Sequence, residues 1–174
     1  MKRFTCFVYQ FGLYLWNVKV KLLLIGKTNK SFLSDGENEY HKRIEHYLKF
    51  ERIELNDLKH QKNLTTEQIK IAEGKSLLGK IKNDDFIILL DERGLQLTSI
   101  DFSKFMANHS LNGQKNVVFV IGGAYGFSEE VYTRANYKLS LSKMTFSHQM
   151  VRMIFLEQLY RAMTILKGEP YHHD

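Results

Sequence analysis

The chain has 174 residues, with 25 Lys+Arg against 19 Asp+Glu, one Cys and one Pro. That length fits one domain burying roughly 70% of its unfolded surface, and the composition excludes an intramolecular disulfide framework, a Cys-rich zinc site and a disordered linker. The formal net charge of +6 permits a polyanionic partner without demanding one.

Residues 1–17 (MKRFTCFVYQFGLYLWN) hold Lys2 and Arg3, no acid, the only cysteine (Cys6) and a dense run of aromatics. Three readings compete: a targeting segment, a packed extension, and an accessory stretch ahead of a start at Val18. Gln10 interrupts the apolar run and no small-residue cleavage site follows. The stretch 4–16 is also shorter than the roughly 20 apolar residues that cross a membrane. The accessory reading is preferred, with 1–17 a poorly ordered extension and 18–174 one domain.

Residues 18–25 (VKVKLLLI) predict a strand with Lys19 and Lys21 alternating outward, ended by Gly26. In 34–50, Tyr40, Ile44, Tyr47 and Leu48 fall near helical spacing and predict an amphipathic helix. A short alternating strand follows over 50–55, then a polar loop over 59–63. Thr65 with Gln68 is a capping-box pattern opening a helix to about Ile81. The run DFIILL (85–90) predicts a buried parallel strand. An acid-rich turn at 91–94 and a helix over 98–109 come next. NVVFVI (116–121) predicts a second buried strand, followed at once by Gly122-Gly123-Ala124-Tyr125-Gly126. Ser128 is the expected hydroxyl cap of a short helix, with Glu129 and Glu130 in its first turn. A short strand covers 137–141. The last helix, over 148–167, carries an apolar stripe from Val151 to Leu166 and stops at Gly168. This alternation gives an α/β layered domain with a mainly parallel sheet.

In such sheets ligands sit outside the carboxyl ends of the strands, which singles out the loops 90–94, 122–126 and 141–147. Gly26-Lys27-Thr28 resembles the end of a phosphate-binding loop, but that pattern needs Gly at position 21, where Lys stands, so the motif is rejected. The 122–126 loop lacks G-x-G-x-x-G spacing, and a plain tight turn remains an alternative. Asp91, Glu92 and Arg93 can pair locally and merely cap a turn, whereas Leu90 can wall an adenine-like ring. The segment 140–148 brings hydroxyls, Lys143 and His148 to a helix start, with a solvated loop as the alternative. Tyr171-His172-His173-Asp174 is by default a dangling tail, although an aromatic beside imidazoles suits base stacking and proton handling. Nothing has metal-ligand spacing, so no metal is expected.

Together LDERG, FVIGGAYGFSEEV, SLSKMTFSHQMVR, EQLYRAMTILKGEPYHHD and the opening VKVKLLLIGK resemble the RlmH family of ribosomal RNA large-subunit methyltransferases, in the SPOUT superfamily. The resemblance covers about residues 18–174 and is most specific over 117–174. It implies a SPOUT-type Rossmann-like, mainly parallel sheet with a C-terminal deep trefoil knot. It also implies a cytoplasmic homodimer that uses S-adenosylmethionine to methylate N3 of a pseudouridine in a 23S rRNA stem-loop on the ribosome. Cofactor positions carry over to Leu90, Gly122, Leu141, Ser142, Lys143, Met144, Thr145 and Phe146. Where the family often has Pro before the loop histidine, this chain has Ser147, which is expected to loosen the backbone there.

From residue chemistry and position beside that loop, His148, Arg152, Tyr171 and His172 are expected around the target base. His172 or His148 would accept the N3 proton, Arg152 would stabilise the anionic base or a phosphate, and Tyr171 would stack. The alternative from another class is an RNA- or ribosome-binding assembly module without catalysis. A nicotinamide-dependent oxidoreductase is disfavoured by the missing dinucleotide fingerprint.

Overall fold

The computed structural model describes residues 18–58, 64–111 and 116–171. The expectations for 1–17, for the polar loop 59–63 and for His172 fall outside those residues. Strands and helices alternate as β1 (Lys19–Ile25), α1 (Ser31–Glu45), β2 (Lys49–Leu55), α2 (Thr66–Leu78), β3 (Phe86–Gln96), α3 (Ser99–Leu111), β4 (Asn116–Ile121), α4 (Glu129–Arg134), β5 (Tyr137–Ser140) and α5 (Met150–Lys167). The sheet is entirely parallel, in the order β2-β1-β4-β3-β5.

The continuous apolar runs become the strands covered on both faces, as their composition requires. One face of β1 and β4 (Val20, Leu22, Leu24, Val117, Phe119) packs under α1, α3 and α5 through Ile44, Phe102, Met106, Phe155, Leu156 and Leu159. The other face (Leu23, Ile25, Val118, Val120), with Ile87 of β3, packs under α2 and α4 through Leu77 and Val131. Each such side chain contributes about 2 kcal/mol when fully withdrawn from water. Every parallel crossover carries the chain back to the amino edge, so the five carboxyl ends share one pole.

Several element readings shift. α1 starts earlier and ends earlier than 34–50, because the chain must reverse into β2 by Lys49. Tyr47 and Leu48 keep the apolar period but sit in the closing turn, both donating their N–H to the Ile44 carbonyl. Lys21 does not point outward. It is buried, and its Nζ lies 3.5 Å from Asp85 Oδ2. The capping box of α2 is present, with Thr65 Oγ1 accepting from Gln68 N and Gln68 Oε1 from Thr65 N, but the helix ends at Leu78. Ser128 occupies the cap position of α4, yet its buried hydroxyl makes no capping hydrogen bond. Phe155, Leu159, Ala162 and Met163 of the α5 stripe are buried as expected, whereas Val151, Ile154 and Leu166 are only half-buried and Leu156 joins the core instead. Gly168 ends α5 in the left-handed conformation at φ 68°.

Candidate active site

The site is built where β3, β4 and β5 end. β3 does not stop at Leu90 for a turn over 91–94, as its sequence suggested. It runs on to Gln96, and Leu139 of β5 pairs with both Leu90 and Leu95, so 91–94 bulge out of the ladder. Two contacts hold the bulge. Asp91 Oδ1 accepts from Arg93 N at 2.8 Å, and Asp91 Oδ2 accepts from the Tyr132 hydroxyl at 2.6 Å. Burial and the Asp91 carboxylate push the Tyr132 phenol up to about 12. Gly94 lies so close to β5 that a Cβ there would sit 2.5 Å from the Leu139 carbonyl carbon, which leaves glycine as the only residue that fits.

From β4 the chain passes through Gly122 into a tight turn, where Gly126 N donates to Gly123 O at 3.2 Å and Gly126 adopts φ 80°. After β5, Ser140 Oγ donates to the Ser142 carbonyl at 2.8 Å, and Ser142 Oγ accepts from Met144 N at 2.9 Å. Ser147 ties the first turn of α5, its Oγ accepting from Met150 N at 3.2 Å and its carbonyl from Val151 N at 3.0 Å. That side chain offsets the loosening expected where a proline is absent.

These three segments enclose an open cleft of about 560 Å³. Leu90, Ile121, Leu141 and Val151 give it apolar walls, Asp91 and Glu92 bring acids, and Ser142, Met144, Thr145, Phe146 and His148 close one side. Met144 is 74% exposed at the rim, with Tyr125 and Phe146 also exposed. The volume is in the usual range for small-molecule sites. The expected cofactor positions Leu90, Gly122, Leu141, Ser142, Met144, Thr145 and Phe146 therefore converge on one cavity, while Lys143 sits in the same loop without lining it.

The four residues expected around the base do not converge. His148 lines the cleft. Arg152 does not: it is 0% exposed, and its guanidinium donates to the carbonyls of Ile25 (2.6 Å), Gly26 (3.0 Å) and His148 (3.0 Å) and to Thr28 Oγ1 (3.0 Å). Thr28 in turn donates to buried Glu37, which also meets Arg52 at 3.2 Å. Burial raises the Glu37 carboxyl from its ordinary value, with Thr28, Arg52 and Arg152 pulling it back. A guanidinium so enclosed cannot touch a base, so the role expected for Arg152 is corrected to that of an internal strut. Tyr171 lies off the cleft, on α1 and α5, its hydroxyl 3.3 Å from Glu157 Oε1 and 3.4 Å from the Tyr40 hydroxyl, its ring edge-on to Tyr160 and under Arg161. Burial, Tyr40 and Glu157 hold its phenol well above the ordinary range. The Asp91–Tyr132 bond escaped the sequence reading, since nothing local links residues 41 apart.

A family model described as predicted SPOUT methyltransferase matches residues 18–172. The chain belongs to the SPOUT methyltransferase family. Similar curated proteins carry the name ribosomal RNA large subunit methyltransferase H. That of Christiangramia forsetii is 55% identical over 88% of this chain and 98% of its own length. That of Parabacteroides distasonis is 49% identical over 90% of this chain and all of its own. A SPOUT methyltransferase requires a methyl donor, and the cleft at the strand ends is the cavity in which these segments meet. No helix among the described residues is long and apolar enough to cross a membrane.

Proposed function

We propose that this SPOUT enzyme transfers the methyl group of S-adenosylmethionine to N3 of a pseudouridine in a 23S rRNA stem-loop on the assembled ribosome. We read 18–174 as the catalytic domain, working in the cytoplasm as a homodimer, with 1–17 as an appendage and the segment from β4 onward threaded as the family's deep trefoil knot. The observation that carries the reading is the meeting of the 90–94, 122–126 and 141–148 segments around one cleft, in a chain 55% identical to a protein named as an rRNA methyltransferase.

The lining fits the donor. Leu90, Ile121, Leu141 and Val151 suit the faces of an adenine ring, and the 141–146 backbone offers amides beside it. Asp91 and Glu92 bring negative charge that suits a cationic sulfonium ligand. When bound, S-adenosylmethionine supplies an electrophilic methyl group, so no covalent enzyme intermediate is needed. The chain must align the acceptor nitrogen and remove its proton. His148, which lines the cleft, is in this reading the group that takes the N3 proton. Arg152 acts through His148, fixing its carbonyl from inside the fold. His172 is read as sharing the proton handling, and Tyr171, held off the cleft of its own chain by Glu157 and Tyr40, is given no role there.

Tritiated methyl transfer to ribosomes with and without the pseudouridine tests the reading. Incorporation only where the pseudouridine is present is the expected result. No incorporation into any RNA would favour the binding module instead. His172→Ala should keep donor affinity by calorimetry and lose most turnover.

A further inference from the structure

The Gly26-Lys27-Thr28 motif, rejected as a phosphate loop, remains without a role. Its loop leaves the carboxyl end of β1, next to β4 in the sheet, at the pole that holds the cleft. It is bolted to the cleft wall. Arg152 Nη1 donates to Gly26 O and to Thr28 Oγ1, and Asn29 N donates to the Gln149 side chain, each at 3.0 Å. The same guanidinium holds the His148 carbonyl, so the loop and His148 share one anchor.

Lys27 and Lys30 stand exposed on this loop. Among the described residues no ion pair engages either of them. Three cations of β1 and β2 are paired within the chain: Lys19 with Glu51, Lys21 with Asp85 and Arg52 with Glu37. The first turn of α1 adds no acid to cancel the two lysines. Across the cleft, Asp91, Glu92 and Arg93 leave the β3 side with a net negative charge. A polyanion therefore meets repulsion from β3 and attraction from β1.

We propose that the β1–α1 loop grips the phosphate backbone of the RNA substrate through Lys27 and Lys30, with buried Arg152 keeping that grip in fixed register with His148. The proposal rests on the rRNA methyltransferase reading and deepens it, because it assigns the side from which the RNA enters. Phosphate contacts of this kind position a substrate without reading its sequence.

The test uses the full chain and ribosomes lacking the methyl group. Lys27→Gln combined with Lys30→Gln should raise KM for ribosomes several-fold, with kcat at saturation and donor affinity unchanged. Loss of two phosphate contacts should flatten the dependence of log affinity on log salt by roughly 1.5. The control is Lys75→Gln with Lys80→Gln, which removes the same charge from the opposite pole and should leave KM in place. Equal behaviour of the two double variants, or an unchanged KM and salt slope in the first, would overturn the grip. Arg152→Lys keeps the charge but not the fork. It should raise KM and lower kcat together in the folded enzyme, and a lower melting temperature with unaltered kinetics would overturn the register claim. Ribosome binding is read by co-sedimentation, independently of turnover. A wild-type chain that binds with the expected lysine-dependent salt slope yet transfers no methyl group would sink the enzyme reading and keep the grip.

Discussion

The two poles of the sheet are finished in opposite ways. At the amino pole, side chains close the backbone. Asp85 Oδ2 accepts from Lys82 N at 2.9 Å and meets Lys21, Arg134 donates to the carbonyls of Lys82, Asn83 and Asp85, and Asn136 Oδ1 accepts from Ile87 N at 2.8 Å. At the carboxyl pole a bulge, a glycine turn and a loop with protruding Met144 stand around an open cleft. At one pole these groups bond mostly inward, although Asp85 Oδ1 is buried without a hydrogen-bond partner among the described residues, and the other pole presents its groups outward. Stability is concentrated where chemistry is absent, and binding surface where the ladder is interrupted.

Four substitutions break or sharpen that contrast. The largest effect belongs to Gly94→Val. Its side chain would enter the backbone of Leu139, β3 and β5 could not stay paired beyond Leu90, and the cleft would lose its wall. A loss of about 4 kcal/mol in urea unfolding is expected, together with loss of donor binding by calorimetry. Asp85→Ala at the closed pole should cost about 3 kcal/mol, because it strands the buried Lys21 ammonium, yet donor affinity of the folded protein should stay unchanged. A fall in that affinity would show that the poles are coupled. Gly122→Val should do the reverse. Its side chain would press on the Phe127 ring, 3.0 Å from the position of a Cβ, for about 1.5 kcal/mol of overpacking, while donor binding is abolished.

The smallest effect is acid sensitivity at the closed pole. His109 lies between Phe86 and Phe105, and burial lowers its imidazole below the ordinary 6.5. The folded state thus binds this proton less readily than the unfolded chain. The contribution is complete above about pH 6.5 and is lost as pH falls below it, toward the lowered folded value. His109→Gln should flatten the decline of the urea midpoint between neutral pH and pH 5, and an identical decline in the variant would remove His109 from the explanation.

Much of the scaffold was legible because composition and period speak locally. FIILL and NVVFVI read as buried parallel strands, Thr65 with Gln68 as a helix start, and the strand-end loops as the place for a ligand. The failures at the site are non-local. Asp91 to Gly94 carries turn chemistry, and only the approach of Leu139 and the reach of Tyr132 convert it into a bulge within one strand. Arg152 has the chemistry of an anion binder, and only carbonyls more than 120 positions away explain why it is an internal strut. Tyr171 immediately precedes His172, beside which it was expected to act, yet it folds back onto Glu157 and Tyr40.

The strand order carries a consequence for the chain as it is synthesised. β3 has two neighbours, β4 and β5, and both follow it in the chain. A ribosome that has released residues up to the end of α3 has therefore produced one matched pair, β1 with β2, and one orphan. The orphan exposes the FIILL run along both of its edges until Asn116–Ile121 emerges and slots between the halves. The hazardous interval in the birth of this protein is thus the translation of α3, when its stickiest segment waits for a partner not yet made.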